Sequence, residues 1–138
     1  MSSGTIKAIE DRLREIRQAF NSQDLKTFRS YFWTNPKFLH IDHSGRLDQG
    51  WGAFEEALDQ EFRYLDNVKL SFKNPRIQVF EDRFSSVVLE WNLLQVDPTG
   101  HEVETGGHLS MALVLFPGKD WRVVTSHFTS LNQTPGAT

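Results

Sequence analysis

Long segments with the character of β-strands fill the second half of the chain, and they constrain the fold more than any other feature. Val68, Leu70 and Phe72 alternate with polar neighbours, as in a β-strand with one buried face. This alternation predicts a strand over 67–79, and apolar-rich segments bounded by turn sequences predict strands over 84–96, 101–116 and 121–131. Pro75 interrupts the first of these strands and predicts a bulge or a bend there, because proline cannot donate a ladder hydrogen bond.

Helical patterns come before the strands. Apolar residues recur every three or four positions at Ile6, Ile9, Leu13, Ile16 and Phe20. A second helix is predicted to begin at Leu25 and to stop at Asn35-Pro36, and a third to run from about Trp51 to Leu65. A short strand over 37–42 lies between them. Helices followed by long hairpins favour an α+β fold, with the helices packed on one face of an antiparallel sheet.

Composition narrows the possible functions. The length of 138 residues predicts a single domain over 1–131, followed by a disordered tail over 132–138. A net charge of −3 without a basic stripe disfavours nucleic-acid partners, and the absence of cysteine excludes disulfides and thiolate chemistry. Since no apolar signal segment or membrane span is visible, a cytoplasmic protein without a membrane partner is expected. The 11 Phe and 4 Trp need a core or a pocket wall.

Three short motifs occur in an informative order. They are Ala19-Phe20-Asn21-Ser22-Gln23-Asp24, then Asp42-His43-Ser44-Gly45 with Gly50, and last Gly118-Lys119-Asp120-Trp121-Arg122-Val123-Val124 with His127 and Ser130. Together they resemble the nuclear transport factor 2-like superfamily, in its SnoaL-like and ketosteroid-isomerase-like branch, over residues 5–131. The resemblance implies a cone-shaped α+β fold. In such a fold N-terminal helices pack on a strongly curved antiparallel or mixed sheet, and a pocket lies between them.

The short strand supplies the first candidate site residues. Phe38, His40 and Asp42 share one side of it by period two. By resemblance, Asp42 falls where ketosteroid isomerases keep the aspartate that moves the substrate proton, and a histidine beside a carboxylate is a usual acid–base arrangement. Asp42 also opens an Asp-His-Ser-Gly sequence, in which aspartate favours a type I turn. A catalytic role and a turn role are therefore both open.

The later strands supply further candidates. Period two places His127 on one face with Trp121 and Val123, and His108 on one face with Ser110. The candidate catalytic residues are Asp42, His40 and His127, and the candidate pocket-lining residues are Trp33, Phe38, Phe54, Trp91, His108 and Ser110. The three strand histidines lack the close spacing of metal ligands, so neither a metal nor a cofactor is predicted.

Steroid isomerisation is disfavoured. Ketosteroid isomerases hold the developing negative charge with a tyrosine and a protonated aspartate. By resemblance, those positions fall at Ile16 and near Ala112, which cannot donate hydrogen bonds from their side chains. An enolising enzyme without such donors would lack its main source of charge stabilisation.

Two function classes remain. The first is binding of a small hydrophobic or cyclic molecule, with Asp/His acid–base catalysis of an isomerase, cyclase or hydrolase type. The alternative is an oligomerisation module without catalysis, resembling the association domain of the calcium/calmodulin-dependent kinase. Apolar residues on both faces of the long strands predict a homodimer through the outer face of the sheet.

Overall fold

A computed structural model describes residues 2–131, which form three helices and one sheet of six strands. The helices are α1 (Ser2–Asn21), α2 (Leu25–Arg29) and α3 (Trp51–Tyr64). The strands are β1 (Leu39–Ile41), β2 (Leu47–Gln49), β3 (Asn67–Phe80), β4 (Phe84–Val96), β5 (Glu102–Phe116) and β6 (Asp120–Ser130). The tail predicted over 132–138 lies outside the described residues.

The sheet is mixed and open. Its strands lie in the order β2-β1-β6-β5-β4-β3, so that β2 and β3 are the two edges. Strands β3 to β6 form an antiparallel meander, as predicted from their turn sequences. Strand β1 then pairs parallel to β6 and antiparallel to β2. None of the helices within residues 2–131 has the length and apolar character needed to cross a membrane.

The core lies between the helices and one face of the sheet. Ile9, Leu13 and Ile16 bury the predicted stripe of α1, which packs against β3 and β6. Fully buried Leu89 and Leu109 project towards the helices from neighbouring central strands. The predicted α+β arrangement, with N-terminal helices packed on one sheet, is confirmed.

One local prediction was wrong and one strand was missed. Helix α2 ends at Arg29 rather than at Asn35-Pro36, because the chain turns to pair with β6. Phe32 forms an isolated parallel bridge with Val123, and the Trp33 amide donates to the Val123 carbonyl at 2.9 Å. Strand β2 was not predicted, since three residues are too few for a period of two to be visible.

Two bulges bend the sheet. The register between β3 and β4 shifts between Lys73 and Arg76, which confirms the bulge predicted from Pro75. The second bulge lies on β6. Ala112 of β5 faces Thr125 while Leu113 faces Val123, so one residue of β6 has no partner. Such an extra residue reverses the alternation of side chains along the strand.

Asn21 fastens the end of α1 to the edge strand β3. Its Nδ2 donates to the Leu70 carbonyl at 3.0 Å, and its Oδ1 accepts from the Leu70 amide at 2.6 Å. Asn21→Ala is expected to lower the free energy of unfolding by about 2 kcal/mol, because two half-buried backbone groups lose their partner. Urea unfolding measures this change. Ser22→Ala, at an exposed neighbour, is the control and should change stability by less than about 0.5 kcal/mol. Equal values for the two variants would contradict the role of Asn21.

Candidate functional site

A cavity of about 230 Å³ lies between the helices and the inner face of the sheet. Its wall is mainly apolar and rich in aromatic rings, namely Phe20, Phe28, Phe32, Phe54, Phe72, Trp91 and Phe128. The polar side chains in the wall are His40, Asp42, His43, Arg46, Glu61 and Ser126. An apolar cavity with a few polar groups is the usual form of a small-molecule site.

His40 is the most buried titratable group of the cavity wall. It lies on β1 and is 5% exposed. Its Nδ1 is 2.7 Å from the hydroxyl of Ser126 on β6, and its ring packs on Phe54 with 4.2 Å between ring centroids. No residue in the described part of the chain makes a hydrogen bond to Nε2. Nε2 is therefore the ring nitrogen left for a ligand.

The charge state of His40 follows from its burial. Burial lowers the pKa of His40 to about 4, and it outweighs the nearby carboxylates of Asp48 and Asp42, which raise the pKa. The imidazole is therefore neutral at pH 7. It can accept a hydrogen bond at one nitrogen and donate one at the other.

Asp48 is a buried carboxylate that sequence analysis missed. It lies on β2 directly opposite His40 and is 6% exposed. Arg46 neutralises it, with Nε and Nη2 each 3.2 Å from a carboxylate oxygen. The Nη2 of Arg46 also lies 3.2 Å from Oδ2 of Asp42. Asp48 was hard to recognise from the sequence, because its inward position depends on a strand of only three residues.

Asp42 closes the turn between β1 and β2. Its Oδ1 accepts hydrogen bonds from the Ser44 amide at 2.9 Å, the Ser44 hydroxyl at 2.6 Å and the Arg46 amide at 3.0 Å. Burial raises the pKa of Asp42, but these bonds together outweigh it and lower the pKa. The turn role is therefore filled, and the carboxylate is a weak proton acceptor at neutral pH.

Asp42→Asn tests which of the two roles matters. Loss of the charge beside Arg46 should lower the free energy of unfolding by about 1 kcal/mol at pH 7. The folded pKa is depressed, so this contribution is present above the ordinary carboxyl pKa of about 4 and is lost as pH falls below it. Urea unfolding at pH 7 and pH 3 should show the two proteins converging at the lower pH.

Asp97 provides a matched control for Asp42. It accepts from the Thr99 amide, the Thr99 hydroxyl and the His101 amide in the same pattern, but lies in another hairpin. Asp97→Asn should therefore report the turn alone, and it should change stability less than Asp42→Asn because Asp97 has no arginine beside it among the described residues. A fall in turnover with Asp42→Asn alone would show that Asp42 takes part in chemistry, contrary to its role as a turn residue.

Glu61 is a second residue that sequence analysis missed. It lies on α3 in the cavity wall, and Gln95 donates to its Oε2 at 2.8 Å. Burial raises the pKa of Glu61, although the bond from Gln95 opposes this. A signal did exist, because Glu61 follows Leu58 by three residues on the apolar stripe of α3.

Four of the predicted site residues line the cavity together, namely His40, Asp42, Phe54 and Trp91. Two others, Trp33 and Phe38, do not line it. Trp33 is half-buried where the chain meets β6. Phe38 is fully buried in the core, with its ring packed on Trp51 and Phe54.

His108, Ser110 and His127 do not line the cavity, contrary to prediction. On β5 the inward positions are Leu109 and Met111, which leaves His108 and Ser110 exposed on the outer face. On β6 the bulge reverses the alternation, so His127 is exposed. The inward residues after the bulge are Ser126 and Phe128. Within residues 4–131, no three His, Cys, Asp or Glu side chains form a group suited to a metal ion.

No family model matches the sequence, and no curated protein matches it significantly. Solved structures do match over most of the chain. An NTF2-like superfamily protein from Salmonella enterica serovar Typhimurium is 19% identical, with 97% of this chain and 96% of that chain covered and a TM-score of 0.87. A scytalone dehydratase-like protein from Novosphingobium aromaticivorans is 11% identical, with coverages of 94% and 85% and a TM-score of 0.83.

A third match has a name related to the alternative function, an oligomerisation module. It is a calcium/calmodulin-dependent protein kinase II association domain-like protein from Xanthomonas campestris, 9% identical, with coverages of 92% and 88% and a TM-score of 0.77. At such identities, structural similarity establishes the fold and leaves the activity open. The resemblance drawn from the three sequence motifs is confirmed at that level. The protein has the cone-shaped α+β fold of the nuclear transport factor 2-like superfamily.

Proposed function

We propose that this protein binds a small, largely apolar cyclic molecule in its cavity, and that the Nε2 of His40 is the polar group that acts on it. The observation that carries the proposal is the Nε2 of a buried, neutral imidazole without a protein partner in an apolar cavity. Nε2 is open to the cavity, since it is not among the fully buried side-chain nitrogen and oxygen atoms that lack a partner in residues 4–131. A bound ligand or water would supply the missing bond.

The cavity volume supports a ligand of one or two rings. A cavity of about 150 Å³ can hold benzene, whereas drug-sized ligands occupy pockets of about 300 Å³ or more. The volume of about 230 Å³ lies between these sizes. A four-ring steroid would be too large, in agreement with the missing oxyanion donors.

The charges around the cavity support a neutral or cationic ligand. Asp42 and Glu61 supply carboxyl groups in the wall, and the guanidinium of Arg46 is already shared between Asp42 and the buried Asp48. An anionic ligand would meet net negative charge and find no free cation among these residues. We therefore propose that carboxylates and phosphates bind poorly.

Dehydration or isomerisation is the reaction class that we favour. Each can pass through a state with negative charge on a ligand oxygen atom, which a neutral imidazole can stabilise with an N–H donor. The name of the scytalone dehydratase-like structure supports the same class, by analogy of fold alone. Asp42 and His127 are not assigned to this chemistry, since Asp42 holds a turn and His127 lies on the outer face.

A ligand screen followed by mutation tests this function. One- and two-ring ketones, alcohols, esters and epoxides are screened by thermal shift, and those that bind are assayed for turnover. His40→Phe keeps an aromatic ring in the wall but removes the ring nitrogens, so binding should persist while turnover falls by about a hundredfold or more. His108→Phe, on the exposed outer face, is the matched control and should leave turnover unchanged.

Two results would contradict the proposal. Unchanged turnover in His40→Phe would remove His40 as the catalytic residue. A complete lack of binding across the screen would instead favour the association module, for which ligand binding is not required.

We also propose that the outer face of the sheet forms a two-fold dimer. Val88 and Leu39 are 37% and 40% exposed on this face, among polar side chains. Val88→Glu should shift the protein towards a monomer in light scattering, because it places charge within the contact. Val103→Glu, at the far end of the β4–β5 hairpin, is the control. A wild-type protein that is monomeric at micromolar concentration would contradict the dimer.

A further inference from the structure

We propose that Ser126 holds His40 as the Nε2–H tautomer, so that the cavity recognises its ligand through a hydrogen-bond acceptor, such as a ketone, ester or ether oxygen. The recognition step rests on the proposed small-molecule function. The role of Ser126 is a property of the protein without ligand.

The contact between Ser126 and His40 is fixed by the sheet. Parallel pairing of β1 with β6 places the two residues directly opposite each other. The β6 bulge gives Ser126, rather than His127, the inward position. The Ser126 hydroxyl and Nδ1 of His40 are then 2.7 Å apart, and the two residues are 4% and 5% exposed.

The direction of this hydrogen bond follows from the number of protons. A serine hydroxyl carries one proton, and within residues 4–131 the Ser126 hydroxyl has no hydrogen-bond partner except Nδ1. If Nδ1 were the donor, the hydroxyl proton would have no acceptor in residues 4–131 and would face the apolar cavity, which is unfavourable. The hydroxyl therefore donates to Nδ1, and the single proton of the neutral ring resides on Nε2.

An N–H group at this position selects the ligand. Around it the wall is formed by the rings of Phe54 and Phe128, which offer no strong acceptor. A ligand oxygen that accepts from Nε2 satisfies the buried donor, while a ligand N–H directed at the same point leaves both donors unpaired. Sites built for one hydrogen bond discriminate strongly against analogues that cannot make it.

The tautomer can be measured directly on the full chain without ligand. Long-range ¹H–¹⁵N spectra distinguish Nε2–H from Nδ1–H for each histidine, and His40→Phe identifies the signals of His40. We expect Nε2–H at pH 7. Ser126→Thr, which retains the hydroxyl, should keep this pattern. Ser126→Val, which has nearly the same shape as the threonine variant but lacks the hydroxyl, should give a mixture of tautomers. An Nδ1–H signal in the wild type would overturn the proposal.

The ligand preference is tested with three molecules of similar size: 1-indanone, indane and indole. They offer an acceptor, no polar group and a donor, respectively. Titration calorimetry should show 1-indanone binding about fivefold or more tightly than indane, with no such gain for indole. In His40→Phe this preference should vanish while indane still binds.

The outcomes separate the two proposals. Equal affinity for 1-indanone and indane, or tighter binding of indole, would overturn the acceptor preference and leave the small-molecule pocket in place. Failure of all three molecules to bind would overturn the proposed function and the recognition step together. The tautomer spectrum would still decide the role of Ser126.

Discussion

Replacing Gly107 with alanine is expected to lower the free energy of unfolding by about 3 kcal/mol or more. A Cβ on Gly107 would overlap the backbone carbonyl oxygen of Thr129, and would lie 2.9 Å from Cα of Ser130. These are backbone atoms of the neighbouring strand β6, so no side chain can rotate away to relieve the contact. Strands β5 and β6 would have to separate.

Trp91 explains why this part of the sheet leaves no room. Its indole Nε1 donates to the carbonyls of His108 at 3.1 Å and of Thr129 at 3.0 Å, across the two strands beside Gly107. Any movement of β6 away from β5 would therefore also disturb this hydrogen bond and the cavity wall that Trp91 forms.

Gly52 offers a control for the same chemical change. It lies in the first turn of α3, and nothing lies within 4 Å of the position of its missing Cβ. Gly52→Ala should leave stability unchanged or raise it by up to about 1 kcal/mol, since alanine favours helix. Guanidinium unfolding of both variants measures the contrast. A loss below about 1 kcal/mol for Gly107→Ala would show that the strands adapt easily.

The second large effect concerns pH. The wild-type protein is expected to lose about 3 kcal/mol of stability through His40 as pH falls from 7 to 4. The folded pKa of about 4 lies below the ordinary value of 6.5, and each pKa unit corresponds to about 1.4 kcal/mol. Between these values the unfolded chain binds a proton that the folded protein does not, so stability rises with pH in this window.

Carboxylates also titrate at low pH, so the contribution of His40 is measured as the difference in stability loss between the wild type and His40→Phe. The charged groups around His40 are Asp42, Asp48, Arg46 and His127, and all remain in His40→Phe. Urea unfolding from pH 7 to pH 4 should show a smaller loss in His40→Phe than in the wild type, by about 3 kcal/mol. His108→Phe should follow the wild type. Parallel curves for wild type and His40→Phe would show that His40 is not protected from protonation.

Much of the fold could be predicted from the sequence where local signals agree. Strand β4 begins and ends as predicted, at Phe84 and Val96, because strong turn sequences flank it. The second helix was overextended since Tyr31 and Phe32 continue a helical spacing, while the structure places Phe32 beside β6. Contacts distant in sequence decided that segment, and no local pattern reports them.

The site was predictable only in part, for a related reason. His40 and Asp42 lie on a short strand with one clear inner face. The strands that carry His108 and His127 have apolar residues on both faces, so periodicity alone did not reveal which face is inside. The β6 bulge then exchanged His127 for Ser126. Asp48 became a site residue only through its pairing with His40 across β1 and β2.

The position of β2 has a kinetic consequence. This edge strand has only three residues, yet with its turn it carries Asp48, Asp42 and Arg46 beside the cavity. Short edge segments open locally at a much lower free-energy cost than central strands. We therefore expect ligand exchange to be governed by transient detachment of β2 and its turn from β1. The amides of β2 should then exchange with solvent deuterium faster than those of β4 and β5, and ligand residence time should lengthen when the Arg46–Asp42 pair is strengthened at low ionic strength.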